Sequence, residues 1–463
     1  MSDLSDVQFL SIKSYSDHPE VYKMADLIVD SYVASKKRVH RKKYVLAARK
    51  LVASLWCHPS DWFRFSTKPA YYSTEKKQVF LTNKILTLFK HMRGMEPELF
   101  RLVYKAIPPG ISNTGRGMAA IYCRSSYFRK TLEMLRDEDI IIDPELERVT
   151  LKNDDDIFIP IPRSEREKPW FDITVKTLKN HSEILSKSKI RGIDGTLIKQ
   201  HDISYFRRFK GSLEATGRLY APFINWSKEE RLGVTFDGIP AMAIDISSLN
   251  PVLLLRLKKG IEAEPPGLFT GKKDPYYIPF WDHLPRAVHK ALINLLFNCK
   301  TEEQMVKGLG STHWWTDDDG RVRTETYKGK KKRKGQPVFE GKSKEIRQYI
   351  DSFKSGHPFL SDSIGTGVGN LLQWIDSELM LFILRAANEK CIPVLPVHDE
   401  MVFPENQKGF MLAAVIAAFW VVLGEAGEFG TLQVKVKRLI SGKVQDEQIS
   451  LELSRYATGF RDD

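Results

Sequence analysis

Two carboxylates of this chain stand in unusually apolar surroundings. Asp245 closes the run IPAMAI, and a helical pattern rich in leucine begins a few residues later. Asp399 lies in CIPVLPVHDEMVFPE, where two short apolar runs flank His398-Asp399-Glu400 as strands flank a hairpin turn. A carboxylate at the end of an apolar strand is costly unless a cation answers it. Two such groups converging from separate strands suit a pair of magnesium ions. Hard cations prefer oxygen ligands, and two of them stabilise both the attacking and the leaving oxygen of a phosphoryl transfer. Taken singly, each segment reads better as a strand that ends in a polar turn.

Between the two lies DPYYIPFWDHLPRAVHKALINLLFN, residues 274–298, in which Arg286, Lys290, Asn294 and Asn298 recur every fourth residue. On a helix that spacing makes one polar, cationic stripe with no acid in it. Such a face can meet a triphosphate, the arginine by forked hydrogen bonds and the lysine as a point charge. The net charge points the same way. Over 463 residues, 71 Lys and Arg against 58 Asp and Glu leave +13, which suits a polyanionic partner, nucleic acid or an acidic membrane face. At 42% hydrophobic and 28% charged the chain is an ordinary folded one, so disorder throughout, collagen and coiled coil are excluded. The four cysteines, Cys57, Cys123, Cys299 and Cys391, form no CxxC pair, so neither a disulfide scaffold nor a structural zinc site is expected. The apolar run Met411 to Leu423 is shorter than the roughly 20 residues that span a bilayer, and is read as a buried helix. The beginning of the sequence is polar and acidic rather than a signal peptide, and a cytoplasmic protein with no membrane partner is expected.

These residues need elements to position them. Residues 1–165 are expected to be a basic, mainly helical region, with KKRVHRKK at 36–43 either gripping a phosphate backbone or lining a solvated helix face. Within it, 125–153 reads as an amphipathic helix, a β-branched run, an Asp143-Pro144 turn and a second short strand, which resembles the recognition helix and wing of a winged-helix module. The acidic and proline-containing stretch 153–170 marks the main boundary, and 166–210 is a linker or approach. Beyond about 205, apolar strands and long helices alternate, and the fold class is α+β.

The order Asp245-Ile-Ser-Ser-Leu-Asn, Arg286-xxx-Lys290 and Val397-His398-Asp399-Glu400 resembles motifs A, B and C of the family A DNA polymerases and the related single-subunit RNA polymerases. Ala215-Thr216-Gly217-Arg218-Leu219 resembles the TGRL segment that opens the palm, and Gly365 to Lys390 the helix leading into motif C. The resemblance covers about residues 211–405 and implies a right-hand palm and fingers over 211–463. It further implies that Asp245 and Asp399, with the backbone carbonyl of Ile246, hold two Mg2+ ions, for which Mn2+ can substitute. By the same resemblance Arg286 and Lys290 bind the incoming triphosphate, and Lys290 protonates the pyrophosphate leaving group. Arg218 would reach the minor groove at the primer terminus, and His398 the terminal sugar or phosphate. The implied partners are a DNA template, a primer or nascent strand, nucleoside triphosphates and a small accessory or helicase protein.

Three positions depart from the family pattern. Asn250 stands where the DNA polymerases have the Glu that excludes a ribose 2′-hydroxyl, and Asn294 and Asn298 stand where motif B has aromatic residues. Amides in place of a bulky gate leave room, donors and acceptors for a 2′-hydroxyl, so tolerance of ribonucleotides and an ability to prime are expected. A basic insertion at 311–347, with Lys330, Lys331, Lys332, Arg333 and Lys334 in a row, is expected to be flexible and to contact a template strand or duplex product. Gly335 to Ser343 only approximates a P-loop, and Gly365-Thr-Gly-Val-Gly is read as the start of a helix rather than a dinucleotide fingerprint. Asp317, Asp318 and Asp319 are read as an exposed turn. The expected activity is template-directed nucleotidyl transfer, without a 3′→5′ exonuclease. A dedicated RNA polymerase or primase, and a DNA-binding replication-initiation or regulatory protein with a degenerate palm, are the alternatives.

Overall fold

A computed structural model describes residues 14–15, 18–36, 41–57, 62–64, 76–96, 98–104, 121–135, 141–142, 148–153, 158–198, 203–259, 274–278, 280–317, 320–326, 335–339, 343–424 and 430–453. The chain is α+β, with helices and mostly antiparallel sheets. It divides into two compact units: residues 1–212 with 219–240, and residues 213–218 with 241–463. The expected break at 153–170 is therefore internal to the first unit, because the helix Pro169–Lys187 buries Thr174, Leu178 and Leu185 there.

Three long helices, Pro19–Ala34, Lys42–Cys57 and Lys76–Met92, lie in the first unit, with short strands around and after them. His18 caps the first of them by accepting from the Glu20 amide, and Pro19 occupies its first turn, where no amide donor is needed. Their inward faces join an aromatic cluster of Phe63, Phe89, Phe100 and Tyr122, in which Phe89 and Phe100 stack at 4.4 Å. In the basic run, Arg41 binds Asp26 at 2.5 Å and Asp30 at 2.6 Å, as a solvated helix face does. Residues 37–40 lie outside the described residues.

The winged-helix resemblance does not carry through. The helix Ser126–Thr131 is short, and the two strands expected to form the wing do not pair with each other. Ile141–Ile142 pairs with Ser14–Tyr15, while Val149–Lys152 lies between Phe158–Ile159 and the parallel strand Phe206–Lys210. Buried Arg148 fixes that choice by donating to the Ser204 hydroxyl and the Tyr205 carbonyl, both at 3.2 Å. The long-range pairing buries Val149 and Leu151, which a projecting wing would leave in water.

The second unit is built on an antiparallel sheet. Its strand order is Leu395–Val397, Glu400–Pro404, Ile239–Ile246, Thr431–Ile440 and Lys443–Glu452, the third contributing from Ala241 onward. The helices Leu249–Lys259, Arg286–Asn298, Gly369–Glu389 and Lys408–Leu423 complete the core, the last two packing on each other. Lys408–Leu423 contains the apolar run. With the helical turn before it, it forms Glu405–Leu423, among the described residues the one helical segment long and apolar enough to cross a membrane, yet it buries Met411, Val415 and Phe419 in this unit.

Gly365-Thr-Gly-Val-Gly is indeed a helix start, and it has a second task. Gly365 and Gly367, at φ 73° and 75°, aim their amides at the carbonyls of Leu296 (3.2 Å) and Cys299 (2.8 Å), which ends the Arg286 helix. The described parts of the basic insertion include three strands. Thr312–Thr316 pairs with Val322–Thr326 and with Gln336–Pro337, and Trp314 and Trp315 are half-buried on the central strand. Asp317 accepts from the Arg321 amide and binds Arg323 at 2.7 Å, so it shapes the turn. Asp318, Asp319 and the run Lys330, Lys331, Lys332, Arg333 and Lys334 lie outside the described residues.

Candidate active site

Neighbouring strands of the second unit bring the two apolar-flanked acids together. Val397 pairs with Glu400, so His398 and Asp399 form a two-residue hairpin turn, with His398 at φ 56°. A positive φ at the first turn residue lets so short a turn match the twist of its strands, and His is among the residues that tolerate it. Asp245 stands directly opposite Glu400 in the register of the adjacent strand, and the Ile246 amide donates to the Asp399 carbonyl at 3.2 Å. Asp399 therefore sits one step beyond Asp245, with the Ile246 backbone beside it.

The electrostatics agree. Burial holds the Asp399 carboxyl above the usual carboxylate range, the Asp245 charge pushes it further, and Lys290 and Arg218 pull it back. Two carboxylates and two cations thus share one field. Lys290 reaches it from the exposed stripe of the Arg286–Asn298 helix, whose opposite face buries Val288, Leu292 and Ile293.

The other expected contacts are partly engaged already. Arg286 is forked onto Asp274, Nε to Oδ2 and a terminal nitrogen to Oδ1, and lies over the Tyr276 ring at 5.1 Å. The stripe holds no acid in sequence, yet the fold brings it one. Arg218 follows two left-handed residues, Thr216 (φ 65°) and Gly217 (φ 70°), and binds Asp376 at 2.8 and 2.9 Å. Its guanidinium is turned inward to a helix acid rather than outward toward a groove. The amides of the expected sugar gate do meet: Asn250 Nδ2 donates to Asn294 Oδ1 at 3.2 Å. Asn298 donates to the Asn294 carbonyl at 2.7 Å and crowds Gly369, where a Cβ would fall 2.3 Å from its Oδ1.

Three residues that belong to this site escape sequence reasoning. Lys437, on Thr431–Ile440, extends its ammonium to Asp245 Oδ2 and, at 2.7 Å, to Glu400 Oε2. Its burial works against the charged form, but the Asp245 and Glu400 carboxylates outweigh that and hold its pKa above the ordinary value. Asp376 is buried on the Gly369–Glu389 helix; burial pushes its carboxyl up to about 6, against the pull of Arg218 and with the Asp399 charge adding to it. Tyr276 is buried with its hydroxyl on Ser248; burial pushes its phenol up, Arg286 draws it down and Asp399 raises it. One signal was present: Asp376 is an acid on a helix face otherwise formed by Leu372, Ile375 and Leu379.

Among the described residues no group of three or more His, Cys, Asp and Glu side chains gathers as a metal site. Magnesium does not require one, since it is commonly held by one or two carboxylates, with waters and substrate phosphates completing its octahedron. Asp245 and Asp399 offer such a set, and the mutual repulsion that raises Asp399 is what a divalent cation would relieve. The residues fit the ion. Compared with protein-family models, with curated proteins and with solved structures, the chain matches none.

Proposed function

We propose that the second unit is the catalytic part of a template-directed nucleotidyltransferase with a family A-like palm and fingers, acting on nucleic acid with two Mg2+ ions. The observation that carries this reading is the convergence on Asp399 of three other charges: Asp245 from the neighbouring strand, Lys290 from the cationic stripe and Arg218 from the TGRL segment. Motif resemblance alone requires only their order along the chain. Their meeting around one carboxylate is a further condition, and it is met.

When bound, the ions would lower the barrier by stabilising charge on the attacking 3′-oxygen and on the leaving oxygen. The chain's own groups do the rest. Asp245 and Asp399 supply the oxygen ligands, and Lys290 offers a proton to the departing pyrophosphate. Arg286 binds phosphate after exchanging Asp274, a substitution its exposed position permits. Arg218, fixed by Asp376, places a positive charge beside Asp399 before any substrate arrives. A dedicated RNA polymerase or primase is the second reading, favoured by the Asn250–Asn294 bond, which leaves amide donors and acceptors where a bulky gate would exclude a 2′-hydroxyl.

The test is extension of a templated strand by the purified full chain with Mg2+, with and without a primer, using deoxy- and ribonucleotides separately. Incorporation is expected with both sugars and to be lost in Asp399→Ala while DNA binding persists. Incorporation that survives Asp399→Ala, or none under any condition, would sink the proposal. Use of deoxynucleotides alone from a preformed primer would remove the ribonucleotide part of it.

A further inference from the structure

The arrangement of Lys437 is unusual for a residue on a strand beside a proposed cation site. Its side chain is 8% exposed and Glu400's is 6%, against 27% for Asp245. In the sheet register Lys437 lies opposite Ala243 and Lys435 opposite Asp245. Ala243 in turn faces Val402 on the far side. Residues paired across an antiparallel ladder share a face. Lys437, Asp245 and Glu400 thus project on one face from three successive strands, and Lys437 must pass over the central strand where Ala243 offers only a methyl group. A larger residue at 243 would stand in that path. This fixed cation already satisfies one oxygen of the proposed metal ligand.

We infer that Lys437 is the resident counter-cation of the proposed metal site: it holds Asp245 in place through Oδ2 and sets how weakly that site binds a divalent cation before substrate arrives. The inference rests on the reading of Asp245 and Asp399 as ion ligands. An ammonium in contact with one ligand repels any cation that approaches the other oxygen, and at these distances in a partly buried site the repulsion is of chemical size. Glu400 shares that ammonium, and its negative charge offsets part of the repulsion. A site built this way takes up its ions together with a negatively charged triphosphate rather than ahead of it. Lys437 is a positioning residue, since it touches a ligand and not the reacting atoms.

The experiment is direct titration of the full chain with Mn2+ alone, followed by electron paramagnetic resonance, and repeated with a nucleoside triphosphate. Lys437→Met is expected to bind Mn2+ about tenfold more tightly than the natural chain, with a smaller gain on adding triphosphate. Lys437→Arg, which keeps the charge, is expected to bind as the natural chain does. Should Lys437→Met fail to fold, Lys437→Met/Glu400→Gln removes one charge of each sign and is expected to bind within about twofold of the natural chain. A purely structural lysine would instead leave the single variant unchanged and weaken the double variant severalfold, and either result overturns the inference. Mn2+ binding that Asp399→Asn abolishes, yet Lys437→Met does not alter, rejects the inference and leaves the proposed function standing. Binding insensitive to Asp399→Asn rejects both.

Discussion

The two units each hold a cluster of one cation between two acids, and the two clusters have opposite settings. In the first unit Arg41 binds Asp26 and Asp30, with 44%, 43% and 60% of the side chains exposed. In the second, Lys437 binds Asp245 and Glu400 with 8%, 27% and 6% exposed. The chemistry is nearly the same and the surroundings are not. In water such contacts compete with hydration and contribute little, whereas out of water each charge depends on its partners. The buried cluster is therefore the one whose acids cannot be exchanged without consequence, and one of them is the proposed ion ligand.

Removing one acid from each cluster breaks the comparison most sharply. Asp245→Asn is expected to lower nucleotide incorporation by on the order of a thousandfold or more, about 4 kcal/mol of transition-state stabilisation, while circular dichroism stays unchanged. Asp26→Asn is expected to leave incorporation at its natural level. Equal effects, large or small, would end the distinction between the clusters.

Removing the buried cation comes next. Lys437→Met leaves Asp245 and Glu400 facing each other without a counter-charge, and an uncompensated buried charge typically costs about 3–5 kcal/mol. The urea midpoint should fall accordingly. A midpoint within error of the natural chain would show that the cluster relaxes into water instead.

Asp376 sharpens the same contrast through pH. Its carboxyl moves from the ordinary 3.8 to about 6 on folding, which amounts to roughly 3 kcal/mol. Between those values the folded chain holds a proton that the unfolded chain has released, so this group's contribution falls as pH rises through the window and is level above it. Asp376→Asn should lose that portion of the slope while its amide oxygen still accepts from Arg218. Urea midpoints of both chains between pH 4 and 7 decide the matter; parallel curves would remove Asp376 as the source.

Which of these features the sequence betrays depends on how far apart their parts lie. Asp245, Asp399 and Lys290 were legible because each carries its own local context: an apolar strand, a hairpin, a four-residue stripe. The α+β class followed from the same periodicities. Lys437 was not legible, because TLQVKVKRLI alternates as a strand with one polar face would, and only its pairing with the Asp245 strand turns that face inward. The wing failed for the same reason. Ile141–Ile142 and Val149–Lys152 have the composition of a hairpin, but composition does not choose partners, and both found distant ones. Arg286 was correctly placed on the stripe, while Asp274, its partner, lies in the approach to the helix, where periodicity has nothing to say.

The smallest effect is expected at Arg41. Its guanidinium spans two acids on the neighbouring helix at 2.5 and 2.6 Å, so by geometry alone it ranks with Lys437. By environment it does not, because water and salt take over each contact as it is lost. Arg41→Met is expected to leave the urea midpoint unmoved, at low ionic strength as at high. A loss that appears at low salt and vanishes at high would give the exposed cluster a real but screened role. A loss that persists in high salt would mean that burial is not what separates the two clusters, and the weight placed on Lys437 would have to rest on its contact with Asp245 alone.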